Sequence, residues 1–402
     1  MKARKILTII AIVVVVLGFI AGAYFLFFSG KPSVVGTPTT FTGAGDRDPN
    51  TNSAGGPIQG AGTVVAPRLI RITEGPISKG AVALVIPPTP PASASSTPEL
   101  GDTEIRYVER ASGNVYAFRF HDRVLTRIGN KTLPGVIDAS WVPDGSRAFV
   151  RFLANESGVD SVSTYALPSS GGEGYFLENG LSAVGVMGSS TVFTLLPGAA
   201  GSVASMANVS GTNVRTLFSS PLQSLTLQAF GADFVATTKA SSEVSGYAFS
   251  VSSKTGGFSR ILGPLTGLST LPSPSGKFVL FSYTYRGKIL TSVIDVQSRT
   301  ITQLPVATLA EKCVWGRGNT SVYCGVPTAV PKDLPDGWYQ GAHALSDRLW
   351  KIDLTTRLAT LINDPTTVAN ITIDMVGLST DMSEDVVTFM NRSDGSLWAY
   401  DL

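Results

Sequence analysis

The chain has 402 residues, 43% of them hydrophobic and 15% charged, with 42 Gly and a net charge of +2. That is ample for a large core, and so low a charged fraction suits an all-β extracytoplasmic chain better than a cytosolic helical one. Without Lys2, Arg4 and Lys5 there are 28 basic against 29 acidic residues, so no basic stripe argues for nucleic acid and no acidic run for a cation store.

The chain opens "MKARKILTIIAIVVVVLGFIAGAYFLFF", in which residues 6–28 carry no charge over 23 positions. A helix of that length crosses a hydrocarbon core of about 30 Å. The basic residues precede it and Lys31 alone follows closely. The positive-inside bias therefore puts the N-terminus in the cytoplasm and the remainder in the periplasm or on the cell surface. A cleaved signal peptide is the competing reading, because Ala21–Ala23 resembles a cleavage site. The run outlasts the roughly 7–15 residues of a signal h-region, which favours an uncleaved anchor. No Cys lies near residue 20, which excludes a lipoprotein anchor.

Residues 29–67 are dominated by Gly, Ser, Thr and Pro without periodicity. Such a segment buries too little apolar area to offset its ordering entropy and reads as a disordered linker. Within it Asp46, Asp48 and Asn50 mimic half of an EF-hand loop. Thr51 stands where Gly is needed and Pro57 where Glu is needed, so the mimicry breaks where that geometry is strictest.

From Arg68 onward, short β-rich runs alternate with Gly, Ser, Asn and Asp turns, the signature of strands. A polar turn between two strands recurs in "ASWVPDGSRAFVRF", "LPSPSGKFVLFSY", "CVWGRGNTSVYCG" and "VGLSTDMSEDVVTFM". A short exit strand recurs at Ile128, Leu177, Leu217, Ile261, Leu304 and Leu361, in steps of 49, 40, 44, 43 and 57 residues. Four-stranded propeller blades have this spacing, and the longest step implies an insertion. The first two turn segments resemble the S-x-S-P-D-G-K-x-hydrophobic repeat of TolB-type and WD-repeat-like bacterial β-propeller proteins, which also occurs in the propeller domain of prolyl oligopeptidases. The resemblance covers some six repeats, two of them clear. It implies a fold and transfers no activity.

The last repeat, residues 370–402, supplies three strands and stops one short. "RLIRITEGP" at the other end reads as the missing outer strand, and pairing it with "SLWAYDL" would close the ring and remove a free edge. The expectation is an all-β, seven-bladed propeller over residues 68–402. Degenerate repeats leave six or eight blades open.

Two insertions interrupt the repeat. Residues 87–102, rich in Pro and Ser, read as a solvated excursion of the first blade. "PKDLPDGWYQGAHALSDRLWKID" lies between the second and third strands of the sixth blade. In propellers such loops share a face with the blade-to-blade connections and line the central depression. Trp338, Tyr339, His343, Asp336 and Asp347 are therefore the candidate binding residues. The competing reading makes Trp338 and Tyr339 a plug that packs the insertion onto the propeller.

Catalytic signatures are sparse. There is no G-x-S-x-G elbow and no phosphate loop, and His121 and His343 lie in different blades without metal-ligand spacing. "NRSDGSLW" only echoes a sialidase repeat. No metal or cofactor is expected. Cys313 and Cys324 flank "GRGN" symmetrically, so two strands would bring them face to face. Outside the cytoplasm such a pair oxidises; the alternative is two reduced core thiols. The functional expectation is a non-enzymatic, membrane-anchored scaffold for an envelope protein or glycan. The alternative is a carbohydrate-active or peptide-processing enzyme with acidic residues converging in the depression.

Overall fold

The computed structural model describes residues 67–88, 101–156 and 159–402. The expected membrane helix at 6–28, residues 29–66 of the expected linker and residues 89–100 of the first excursion lie outside the described residues. Among the described residues no helix is long and apolar enough to cross a membrane.

The fold is almost wholly antiparallel β-sheet, built from four-strand units in chain order. The first holds β2 to β5 (Ile77–Ile86, Asp102–Glu109, Val115–Arg119, Val124–Arg127) and the second β6 to β9 (Val136–Trp141, Arg147–Glu156, Val159–Pro168, Tyr175–Phe176). A single parallel pair, Lys79 with Asp138, joins them into one eight-stranded sheet. Three separate sheets follow: β10 to β13 (Ala183–Met187, Thr191–Gly198, Gly201–Asn208, Arg215–Ser220), β14 to β17 (Leu225–Phe230, Asp233–Thr238, Ser245–Val251, Phe258–Thr266), and β18 to β21 (Ser269–Pro272, Phe278–Tyr285, Lys288–Asp295, Ile301–Gln303). The next holds β22 to β25 (Cys313–Trp315, Ser321–Pro327, Asp347–Asp353, Ala359–Asn363). The last is β26 to β28 (Met375–Thr380, Val386–Asn391, Leu397–Asp401) completed by β1 (Leu69–Arg71). Leu69 pairs with Tyr400 and Arg71 with Trp398, the closure expected from the strand missing at the C-terminal end.

Local chemistry explains the turns. In "VPDGSR" the Asp144 carboxylate accepts from Ser146 N–H at 2.9 Å and Oγ at 2.6 Å, while Gly145 takes φ +69°. Gly276 does the same in "SPSGKF" at φ +71°. Only residues that tolerate the left-handed region fit there, so the motif is turn chemistry rather than a ligand site.

Packing explains the strands. Middle strands are buried on both faces: Val279, Leu280 and Phe281 are consecutive and all inaccessible. Neighbouring sheets cover each face, which is why these strands read as apolar runs instead of alternating. The core is correspondingly divided. One cluster joins the first and second units around Val136 and Val150, and another the second and third around Phe149 and Val192. The series continues through Phe193 and Phe234, Phe281 and Leu262, Trp315 and Leu280, and Tyr323 and Phe389. It returns to the start through Leu397, Ala399 and Ile105. Each sheet packs on the next and the last on the first, the arrangement of a propeller.

Candidate functional site

The long insertion joins β23 to β24, as the repeat spacing predicts. Its centre is one helical turn, α1 (Asp336–Tyr339). Trp338 is only 3% exposed and packs with Leu309, Leu334, Leu345 and Val376 in a cluster of its own. The expectation of an exposed Trp338 contact is therefore corrected: this ring is a plug. Its amphipathic indole is buried because Nε1 finds a partner, Asp374 Oδ2 at 2.8 Å.

Under the ring lies a buried charged knot. Lys312, at the end of a 3-10 turn (Ala310–Lys312) before β22, places Nζ 2.7 Å from Asp347 Oδ2 and 2.5 Å from Asp374 Oδ1. All three side chains have 0% exposure. The ammonium also stands 5.0 Å from the Trp338 ring centre, with the Arg392 guanidinium at 4.5 Å. Burial pushes the Asp347 carboxyl up to about 6, against the pull of Lys312 and the Met375 N–H, with Asp374 adding repulsion. Asp347, proposed from sequence as a surface contact, is thus a core residue. It opens β24, and its partners come from β26 and from the turn before β22.

The remaining candidates are pinned rather than gathered. Asp336 accepts from Ser242 N–H and Oγ, both at 2.5 Å, tying the insertion to the loop between β15 and β16. Burial raises its carboxyl, but those hydrogen bonds and nearby Lys239 win and hold it below the usual range. His343 Nε2 lies 2.8 Å from Asp333 within the same loop. His121 Nδ1 lies 2.8 Å from Asp102, in the first unit. Tyr339 behaves differently from its neighbour. It is half-buried, and its hydroxyl donates to Glu311; burial and then Glu311 hold the phenol far above its ordinary range.

One edge of Tyr339 faces a cleft of about 360 Å³. Strands β2, β14 and β18 contribute Lys79, Gln228 and Thr270; the β15–β16 loop contributes Lys239, and Glu311 precedes β22. Residues from units far apart in the chain meet here, as the central depression of a ring requires. Thr270 Oγ1 accepts from Thr237 at 2.7 Å and donates to Gln228 Oε1 at 3.2 Å, and the Gln228 amide nitrogen has no hydrogen-bond partner among the described residues. Neither Lys79 nor Lys239 has a carboxylate within salt-bridge distance among the described residues, and Glu311 is the one carboxylate in the lining. Sequence reading missed this group. Lysines before or within β-rich runs look like solvated surface, and their convergence depends on ring closure.

The remaining expected pair is in place: Cys313 and Cys324 are directly opposed on β22 and β23 and form a disulfide.

No family model matches the chain, and no curated protein matches it. Solved structures do resemble it. The β-propeller domain of the Trilobed protease from Pyrococcus furiosus is 9% identical, over 80% of this chain and 93% of that one, with a TM-score of 0.49. Kuenenia stuttgartiensis hydrazine synthase is 13% identical, over 86% and 99%, with a TM-score of 0.49. TolB from Acinetobacter baumannii is 12% identical over 70% of this chain, with a TM-score of 0.44, and this chain spans 62% of its length. Likenesses this distant carry no functional argument. The propeller assignment rests on the ring of sheets and cores in this chain.

Proposed function

We propose that the chain is a non-enzymatic binding propeller of seven blades, each four-strand unit being one blade, held outside the cytoplasmic membrane by the apolar segment at residues 6–28. Its central cleft receives a carboxylate-bearing segment of an envelope protein or glycan. The observation that carries this reading is the pair of lysines, Lys79 and Lys239, which enter one cleft with no carboxylate at salt-bridge distance among the described residues; Lys239 feels Asp336 only at longer range. An ammonium without a salt-bridge partner among the described residues, beside the Gln228 amide, is arranged to take a negative oxygen ligand. The half-buried Tyr339 ring adds an apolar edge beside it. A catalytic pair of carboxylates would need to converge in the same cleft; its lining holds one, and Glu311 is already bonded to Tyr339. The anchor and its orientation rest on the basic residues before the apolar run.

The test is binding by the full chain in nanodiscs, titrated in parallel with an oligogalacturonate, a neutral oligosaccharide and an acidic peptide. The acidic probes should bind and lose affinity as salt rises. Lys79→Ala with Lys239→Ala should lower affinity at least tenfold. Equal binding of neutral and acidic probes, or no effect of the double variant, would defeat the reading.

A further inference from the structure

We propose that Lys312 and Asp374 join in a spontaneous intramolecular amide bond, with Asp347 as the proton carrier, linking the sixth and seventh four-strand units covalently. The case begins with geometry. One amine nitrogen touches two carboxylates, at 2.7 Å and 2.5 Å, in a pocket from which all three groups have lost all contact with solvent. Fixing reactants this closely removes most of the entropic barrier to their reaction.

The two carboxylates are held differently, and the difference assigns their roles. Asp374 Oδ2 accepts from Trp338 Nε1–H at 2.8 Å and from Leu345 N–H at 3.1 Å, with Arg392 Nη1 at 3.9 Å. Donors so placed stabilise the negative charge that appears on Oδ2 when a nucleophile adds to Cγ. Asp347 Oδ2 accepts from Met375 N–H at 2.7 Å and from Lys312, whereas its Oδ1 is buried with no partner among the described residues. A buried carboxylate with an orphaned oxygen is poorly stabilised and favours holding a proton. The raised Asp347 carboxyl agrees with that role.

The step balances. The Lys312 ammonium yields one proton to Asp347, which passes it across the shared nitrogen to Asp374 Oδ1. The free amine adds to Cγ of the now neutral acid, and the carbonyl electrons move onto Oδ2. A second proton leaves the nitrogen by the same route to Oδ1. The Cγ–Oδ1 bond breaks, Oδ1 departs as water, and the electrons on Oδ2 re-form the carbonyl. Ammonium plus carboxylate becomes amide plus water, with no oxidant, nucleotide or second enzyme. Leu309, Leu334, Leu345 and Val376 wall the site, which keeps bulk water from reversing the reaction.

The experiment is peptide mapping of the full chain, purified folded, then reduced, alkylated and digested with trypsin. The expected product is residues 300–317, uncut at Lys312, joined to residues 358–392 and lighter by one water than their sum. Complete cleavage after Lys312 with both peptides separate would overturn the proposal. A link to the peptide carrying Asp347 would overturn the assignment of roles. Asp347→Asn should leave the peptides unjoined in protein that still folds; full linkage in that variant would remove Asp347 from the mechanism. Should the variant not fold, the wild-type map alone decides whether the bond exists.

Discussion

Lys312 and Lys79 are both lysines at the mouth of an innermost strand, yet they have opposite fates. Lys312 is wholly buried, bonded to two carboxylates and covered by the Trp338 ring of the insertion. Lys79 enters a cleft with no carboxylate at salt-bridge distance among the described residues. The adjacent residues Trp338 and Tyr339 divide the same way, one sealing the knot and the other edging the cleft. A buried cation held between two carboxylates organises structure, and removing one partner strands a charge. An exposed cation without a partner contributes little to folding and is available to a ligand. One loop therefore does two things: it locks the ring and shapes the rim of its central depression.

The largest expected effect tests the locking half. Trp338→Ala empties a buried site and removes the hydrogen bond to Asp374, so it should destabilise by roughly 3–5 kcal/mol in chemical denaturation. Tyr339→Phe removes only a half-buried hydroxyl from Glu311 and should cost about 1 kcal/mol. Equal losses for the two would erase the distinction between plug and rim.

Next is the disulfide. It closes a loop with a sequence separation of 11, so the chain-entropy model limits its contribution to about 3 kcal/mol. Cys313→Ala with Cys324→Ala should lower stability by no more than that, because both positions lie in the apolar interface between the fifth and sixth units. A larger loss would mean the bond shapes the native hairpin rather than restraining the unfolded chain.

Asp347 gives the comparison a pH axis. Its carboxyl ordinarily titrates near 3.8 and is raised in the fold to about 6. Between those values the folded state holds the extra proton, so this group's contribution to stability falls as pH rises from about 4 to 6 and is flat beyond. The slope is at most about 1.4 kcal/mol per pH unit. Wild type should therefore gain on Asp347→Asn when the pH drops from 7 to 5, read as the difference between their melting temperatures. The sign is the same whether Lys312 remains an ammonium or becomes an amide, since burial is the leading cause. A constant difference across that range would mean that Asp347 is ionised in the fold.

The ring was legible in the sequence because its signals are local. Turn residues such as Gly145 and Gly276 mark hairpins, β-rich runs mark strands, and a missing last strand points to Leu69–Arg71 at the other end. The cysteines could be paired because an antiparallel hairpin fixes cross-strand register over a few residues. Neither charged site could be seen. Lys312 and Asp374 are 62 residues apart, and what brings them together is packing between consecutive sheets. Lys79 and Lys239 meet only because the ring closes. Local pattern also says nothing of which way an indole turns: Trp338 sits in a polar, aspartate-rich stretch of the kind that usually lies at the surface, and an Asp374 carboxylate from the next unit draws it inside.

The smallest expected change in stability tests the open half. Lys79→Ala with Lys239→Ala removes two exposed ammonium groups with no carboxylate at salt-bridge distance among the described residues, so unfolding should shift by no more than about 0.5 kcal/mol. If these lysines serve binding, the same double variant loses affinity for acidic probes, and the binding that persists becomes less sensitive to salt. Lys79→Arg with Lys239→Arg separates charge from shape: affinity should largely return if the cleft reads negative charge alone. A stability loss comparable to that of Trp338→Ala would place the cleft lysines with Lys312 as structural cations. The division between locked and open halves of the molecule would then fail on its own terms.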